Sequence, residues 1–284
     1  MKTIPISERV NEKFNYSIDL IQRGEKLALS LNPEKGYIVA FSGGKDSQLL
    51  LDLVKQAGVK YEAHYYVTTV DPPECIYYMR EKYPEVKFVL PEENFFRLVE
   101  KHGLPTIRNR YCCRLLKEGQ DTGCVVLTGV RAEESKKRAA YEDLTVMSSR
   151  KEHKGRTGYT IEAMMENEHQ CIKGKDKVML RPILHWTMTE EFYYFKSRGI
   201  EINPAYLHVN RLSCMLCPFS PEDEKEYWMN HHPGYKRLLL RSIGRYMAKS
   251  PSNQLSSPEE YYEWWCSKRS IEEFLKKKER YKQI

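Results

Sequence analysis

No stretch of this sequence approaches the roughly 20 consecutive apolar residues that a membrane-spanning helix needs, so no membrane role is expected. The opening Met1-Lys2-Thr3-Ile4-Pro5 lacks the apolar core of a secretory signal, which predicts a cytoplasmic protein. No internal repeat is evident. The Walker P-loop is missing: it needs a glycine five residues before its Gly-Lys pair, and position 39 is Val. The dinucleotide fingerprint is missing too, because Gly43 and Gly44 are adjacent and no third glycine follows. Eight cysteines in a chain of apparently cytosolic character argue against a disulfide framework.

What is present suits a globular protein with a sizeable core. The 284 residues are 41% hydrophobic, enough for one large α/β domain or a domain with a smaller appendage. The net charge of +7 is modestly basic, with Lys and Arg gathered at 108–117, 136–138, 150–156 and 276–282. Such charge suits a polyanionic nucleotide, a nucleic acid or plain solubility. In the last of these runs the charges alternate with apolar positions, which reads as the solvated face of a final helix.

The most informative segment is Ser42-Gly43-Gly44-Lys45-Asp46-Ser47, directly after the apolar run Tyr37-Ile38-Val39-Ala40-Phe41. The run reads as a buried parallel strand. Two glycines allow a sharp turn that brings backbone N–H groups close to an anion. The following stretch, with Leu49, Leu50, Leu53 and Val54, reads as a helix whose N-terminus points at that anion. Lys45 adds a full positive charge. This is the mechanics of a pyrophosphate cradle.

Apolar spacing at Val10, Phe14, Ile18, Ile21 and Leu27 predicts an N-terminal helical segment within residues 1–35. Strands are predicted at 37–41, 61–67, 86–90 and 124–130, with helices at 46–57, 73–83, 93–102 and 110–118. The alternation predicts a doubly wound, mostly parallel α/β sheet over residues 36–186. Ligands of such sheets bind beyond the carboxyl ends of strands, where both the 42–47 loop and Gly129-Val130-Arg131 fall. A polar, irregular insertion covers about 143–177, a functional lid or a disordered segment. One further strand is predicted at Val178–Leu184, stopped by Pro182. Residues 187–284 read as a helical, aromatic-rich C-terminal part.

Four cysteines form two pairs. Cys112 and Cys113 are adjacent in Arg110-Tyr-Cys-Cys-Arg-Leu-Leu-Lys117, and Cys214 and Cys217 make a C-x-x-C in Ser213–Phe219. An adjacent pair is awkward for tetrahedral zinc but can reach two irons of one cubane, and four thiolates are the general ligand set of a [4Fe–4S] cluster. Zinc is the alternative metal, and a redox-active or unligated set remains open. Arg108, Arg110, Arg114 and Lys117 would offset the thiolate charge. Cys75, Cys124 and Cys171 stand alone, Cys124 reading as a buried small hydrophobe.

Together these segments resemble the phosphoadenosine-phosphosulfate (PAPS) reductase family of the PP-loop, or adenine nucleotide α-hydrolase, superfamily. The match is carried by Ser42–Ser47, by Arg110–Lys117, and by Thr128-Gly-Val-Arg-Ala-Glu-Glu-Ser135 with Arg138. It continues through Arg181-Pro-Ile-Leu-His-Trp186, Asn203-Pro-Ala-Tyr206 and Arg211 to Pro218. The resemblance implies a fold of the HUP type and an adenine nucleotide on Ser42, Gly43, Gly44, Lys45, Asp46 and Ser47. It places Gly129, Arg131, Ser135 and Arg138 near the phosphates. In cluster-bearing members a Cys-Cys and a C-x-x-C pair hold [4Fe–4S], matching Cys112, Cys113, Cys214 and Cys217.

Three departures matter. The sulfonucleotide reductases carry a nucleophilic cysteine in a C-terminal Glu-Cys-Gly-Leu-His segment that is absent here, the sole late cysteine being Cys266. Their PP-loop is degenerate, whereas this one is intact. Thr68-Thr69-Val70-Asp71 stands where Asp-Thr-Gly is usual. The expected activity is therefore ATP-dependent adenylation supporting sulfur incorporation, with Lys45, Asp46, Arg131 and Arg138 catalytic, Mg2+ on the phosphates and Asp46 a candidate ligand for it. Nucleic acid is a candidate acceptor and a cysteine desulfurase a candidate sulfur donor. The alternatives are a sulfonucleotide reductase using Cys266, or a non-catalytic nucleotide- and cluster-binding subunit. Glu133 and Glu134 read as surface partners of Lys136 and Lys137, and Arg181 and His185 as structural.

Overall fold

A computed structural model describes residues 4–147, 160–168, 176–249 and 254–282. Its centre is β1 (Tyr37–Ala40), where Tyr37, Ile38 and Val39 are wholly buried, as a parallel strand covered on both faces requires. On one side lie β2 (Tyr61–Tyr66) and then β3 (Lys87–Val89). On the other lie β4 (Val125–Thr128), then β6 (Lys177–Leu180), with β5 (Leu144–Met147) at the edge. Every pairing is parallel except that of β5 with β6. The chain runs outward from β1 to β3, then returns to β4 on the opposite flank, so the switch point lies between β1 and β4. Ala40 is paired with Thr128, and the segments that follow these two residues leave the sheet side by side.

The helices are α1 (Ile6–Leu31), α2 (Lys45–Ala57), α3 (Pro73–Lys82), α4 (Phe95–His102), α5 (Tyr111–Cys113), α6 (Lys136–Ala139), α7 (Ile161–Ala163) and α8 (Met188–Arg198). Beyond these come α9 (Glu222–His231), α10 (Pro233–Lys249), α11 (Pro258–Ser267) and α12 (Ile271–Lys282). Helices α1, α2 and α8 pack on one another, and α1 and α2 both lie on β1 and β4. Tyr37 Oη donates to the Ile21 carbonyl at 2.7 Å, tying β1 to α1. Among the described residues no helix is long and apolar enough to cross a membrane.

The chain divides into two compact units that interleave rather than follow one another. One comprises Met1–Tyr66, Tyr77–Val89 and Gly119–Leu212 and carries the whole sheet. The other comprises Val67–Ile76, Leu90–Glu118 and Ser213–Ile284 and is helical. Residues 187–212, read from sequence with the helical C-terminal part, thus belong to the sheet unit.

Two expectations need correcting. The last parallel strand ends at Leu180 and not Leu184, because the chain turns through Pro182, with Leu184 N–H donating to the Arg181 carbonyl at 3.1 Å. The polar insertion is also more regular than expected: 144–147 form the antiparallel edge strand, and 161–168 are helical. Arg181 serves that edge, donating to Glu142 O at 2.8 Å and Thr145 Oγ1 at 3.0 Å, its guanidinium 4.7 Å from the centre of the Tyr141 ring. The basic stretch 150–156 and Cys171 lie outside the described residues.

Candidate functional site

The 42–47 loop closes on itself through serines. Ser42 N–H donates to Ser47 Oγ at 3.1 Å, and the Ser47 hydroxyl donates to the Gly44 carbonyl at 2.8 Å. Gly43 sits at φ +71°, a conformation that favours glycine, and a Cβ there would lie 2.7 Å from Met79 Sδ, which would have to shift. The 203–206 segment braces the loop: Asn203 Nδ2 donates to the Gly43 carbonyl at 3.2 Å, and Lys45 N–H donates to Tyr206 Oη at 3.2 Å. Helix α2 then begins at Lys45 with its N-terminus at the switch point.

Around this helix start lies a charge network. Lys45 Nζ lies 2.9 Å from Asp46 Oδ1 and 2.8 Å from Glu191 Oε2. Arg131, buried at the end of β4, donates through Nε to Asp46 and through Nη1 to Glu133 Oε2 at 2.7 Å, with Nη2 3.8 Å from Glu191 Oε2. Burial pushes the Asp46 carboxyl up, but Lys45 and Arg131 outweigh it and hold it below its ordinary value. Glu191 goes the other way: burial, then repulsion from Asp46, raise it to about 7. Its Oε1 is buried with no hydrogen-bond partner.

Glu191 went unread in the sequence. It follows the Thr187–Glu190 capping box that opens α8, and it lies on the helix stripe shared by the buried Tyr194 and Phe195. A carboxylate at i with buried aromatics at i+3 and i+4 was the available signal. Glu133 is also corrected: besides Arg131, it accepts from Met188 N–H at 2.7 Å and pairs with neither surface lysine.

The remaining predicted residues sit close by in varied roles. Gly129 is a packing necessity, since a Cβ would lie 2.9 Å from Asp46 O and 3.2 Å from Ser47 N. Ser135 caps α6, accepting from Arg138 N–H at 3.2 Å. Arg138 pairs with Glu134, and burial followed by the nearby cationic Arg211 lowers its pKa. Arg131 and Asp46 act on the same guanidinium, so Arg138 and Arg211 extend the cationic side of the site.

The four paired cysteines lie within the helical unit and line one cavity of about 30 Å³ with Thr68, Val70, Phe95, Arg110, Leu116 and Lys117. Cys112 donates its S–H to Cys113, which that bond, helped by Lys117 and Arg110, lowers to about 6, while Cys112 is held up. Lys117 hydrogen-bonds Cys214, whose charge raises the lysine, and Thr68 bonds the same sulfur. Thr68 N–H and Oγ1 both donate to Asp71 at 2.7 Å, so the unusual Thr-Thr-Val-Asp segment forms a wall of this cavity. The donor set suits a thiolate-held group: four sulfurs on one cavity, with cations beside them. Among the described residues no group of three or more His, Cys, Asp or Glu is arranged to hold a single metal ion. Cys266 is buried, and burial pushes its thiol to about 11, the opposite of a poised nucleophile.

The curated relatives include two uncharacterized proteins of Methanocaldococcus jannaschii. MJ0066 is 26% identical over 65% of this chain and 36% of its own length. MJ0973 is 27% identical over 74% of this chain and 50% of its own. The chain thus spans half or less of the length of these relatives. Similar solved structures include PAPS reductase from Candida auris, with TM-score 0.44, 15% identity, and coverage of 75% of this chain and 96% of that one. FMN adenylyltransferase from Candida glabrata gives TM-score 0.46, 12% identity, and 75% and 64% coverage. The U34-tRNA thiolase NcsA from Methanococcus maripaludis, solved with its [4Fe–4S] cluster, gives TM-score 0.37, 14% identity, and 84% and 82% coverage. The phosphoadenosine phosphosulfate reductase domain matches residues 36–251, and this chain belongs to that family.

Proposed function

We propose that this chain is an ATP-dependent adenylating enzyme that supports sulfur incorporation into an acceptor and carries a [4Fe–4S] cluster on Cys112, Cys113, Cys214 and Cys217. The observation that carries the reading is the intact loop, with Lys45 and Arg131 both at the mouth of the β1–β4 switch point. In the reaction an acceptor oxygen attacks the α-phosphorus, the bond from that phosphorus to the bridging oxygen breaks, and pyrophosphate leaves. A sulfur nucleophile then displaces AMP.

Backbone N–H groups of Gly43 and Gly44 with the Lys45 ammonium would stabilise the leaving pyrophosphate, an electrostatic role. Arg131 and Arg138 would offset charge at the α-phosphate. Mg2+ would neutralise the phosphates, with Asp46 as its carboxylate ligand. When bound, the cluster would supply redox-active iron for sulfur handling. Nucleic acid fits as the acceptor class and a persulfide-bearing protein such as a cysteine desulfurase as the donor. Burial of Cys266 counts against the sulfonucleotide reductase alternative, which would need it as the nucleophile.

The test is pyrophosphate release from ATP. Lys45→Ala is expected to lower it about 100-fold or more with the fold intact, and unchanged release would refute the assignment. For the anaerobically purified wild-type protein, a broad visible absorption and about four irons per chain are expected. A colourless zinc protein would overturn the cluster.

A further inference from the structure

We propose that Glu191 joins Asp46 in a two-carboxylate seat for the divalent cation that accompanies the nucleotide. The inference rests on the nucleotide reading above and adds to it a ligand from α8.

Three observations point to a cation between these residues. First, the Lys45 ammonium already stands there, 2.9 Å from Asp46 Oδ1 and 2.8 Å from Glu191 Oε2, so a positive charge bridges carboxylates from α2 and α8. Second, Glu191 is wholly buried and its Oε1 is buried without a hydrogen-bond partner, an acceptor held dry and unused. Burying a carboxylate is costly unless a cation or donors meet it, and only one of its oxygens is met. Third, the donors are hard oxygens. Mg2+ characteristically takes one or two carboxylates plus substrate phosphates and keeps its other positions for water. A site of that kind needs no third protein ligand.

Charge balance gives the sequence of events. The two carboxylates are matched by Lys45 and Arg131. Phosphates arriving at the loop draw these cations toward themselves. Asp46, partly open, and Glu191, wholly buried, are then left as two negative charges, and a dication matches them where a monovalent ammonium stood.

The experiment uses α,β-methylene-ATP, which cannot be cleaved between its α- and β-phosphates, with affinity measured calorimetrically in EDTA and in Mg2+. Wild-type protein is expected to bind at least tenfold tighter with Mg2+. In Glu191→Gln that gain should fall below threefold, with the affinity in EDTA unchanged or improved. A full Mg2+ gain in Glu191→Gln overturns the seat, as does an equal loss of affinity in both conditions, the signature of a merely structural counter-ion. Wild-type protein that binds no analogue in either condition overturns the nucleotide reading itself, and the seat with it. A second variant guards against misfolding. Lys45→Met removes the bridging ammonium, so nucleotide-free protein should bind Mn2+, read by loss of its free-ion paramagnetic resonance signal, at least tenfold tighter than wild type. No gain there overturns the seat independently.

Discussion

Gly129→Ala tests whether the end of β4 serves the nucleotide by leaving room. A Cβ at this position would lie 2.9 Å from the Asp46 carbonyl oxygen, 3.0 Å from its carbon and 3.2 Å from Ser47 N. All three are backbone atoms in the first turn of α2, so no side chain can swing away. Relief requires β4 and the helix start to separate by several tenths of an ångström, and overpacking of that kind costs about 1–3 kcal/mol. For a unit of this size that is a fall in melting temperature of roughly 3–10 °C. The displaced atoms are those that present Asp46, Lys45 and the helix N-terminus to the phosphates, so nucleotide affinity should drop about tenfold, or 1.4 kcal/mol. Gly234→Ala is the control: the nearest atom to its Cβ would be 4.0 Å away, in the flexible Arg237 side chain at the start of α10, and melting should be unchanged or slightly raised. Scanning calorimetry and nucleotide titration read both quantities. A Gly129→Ala protein with wild-type melting and affinity would refute the close-approach argument.

Two further outcomes follow from charges in the sheet unit. His64 is buried between Asp121 Oδ2 at 2.9 Å and Glu62 Oε2 at 3.0 Å; burial opposes its charge, but the two carboxylates outweigh it and raise its pKa above 6.5. Its contribution is therefore full below that value and lost as pH rises through the folded pKa, so the melting deficit of His64→Gln should be largest at about pH 5–6 and shrink toward pH 9, and a deficit growing with pH would contradict this. Glu133 is half-exposed and competes for Arg131, so Glu133→Gln should tighten nucleotide binding about two- to fivefold, in keeping with a rim ion pair, and weaker binding would show that Glu133 orients Arg131 instead.

The centre of the sheet was legible because its strands are buried on both faces and so appear as short apolar runs. Tyr37–Ala40 and Val125–Thr128 match their predicted runs within one or two residues at each end. What escaped was set by pairing. Leu144–Met147 is a strand only because β6 offers an edge and Arg181 clamps the turn beside it, neither of which local pattern records. Likewise Met188–Leu212 belongs with the sheet because α8 packs on α1 and α2, whereas its composition continues into the helical remainder.

The candidate site divides along the same physical line. Ser42–Ser47 could be read because backbone geometry is local: adjacent glycines, a lysine and two serines that bond across the turn fix the loop within six residues. The cysteine pairs were legible because thiol spacing constrains chemistry, and both pairs do line one cavity. The acidic half was not legible. A sequence assigns Lys45 and Arg131 to phosphate because cations are needed there, yet both are held by carboxylates, Lys45 by Asp46 and Glu191, Arg131 by Asp46 and Glu133. On the proposed reading, nucleotide binding is an exchange of partners and not the filling of a bare positive pocket. Its strength depends on what becomes of the carboxylates left behind. Glu133 at the rim can turn to water, and Asp46 is partly open. Glu191 has no such outlet, which makes it the residue on which the exchange turns.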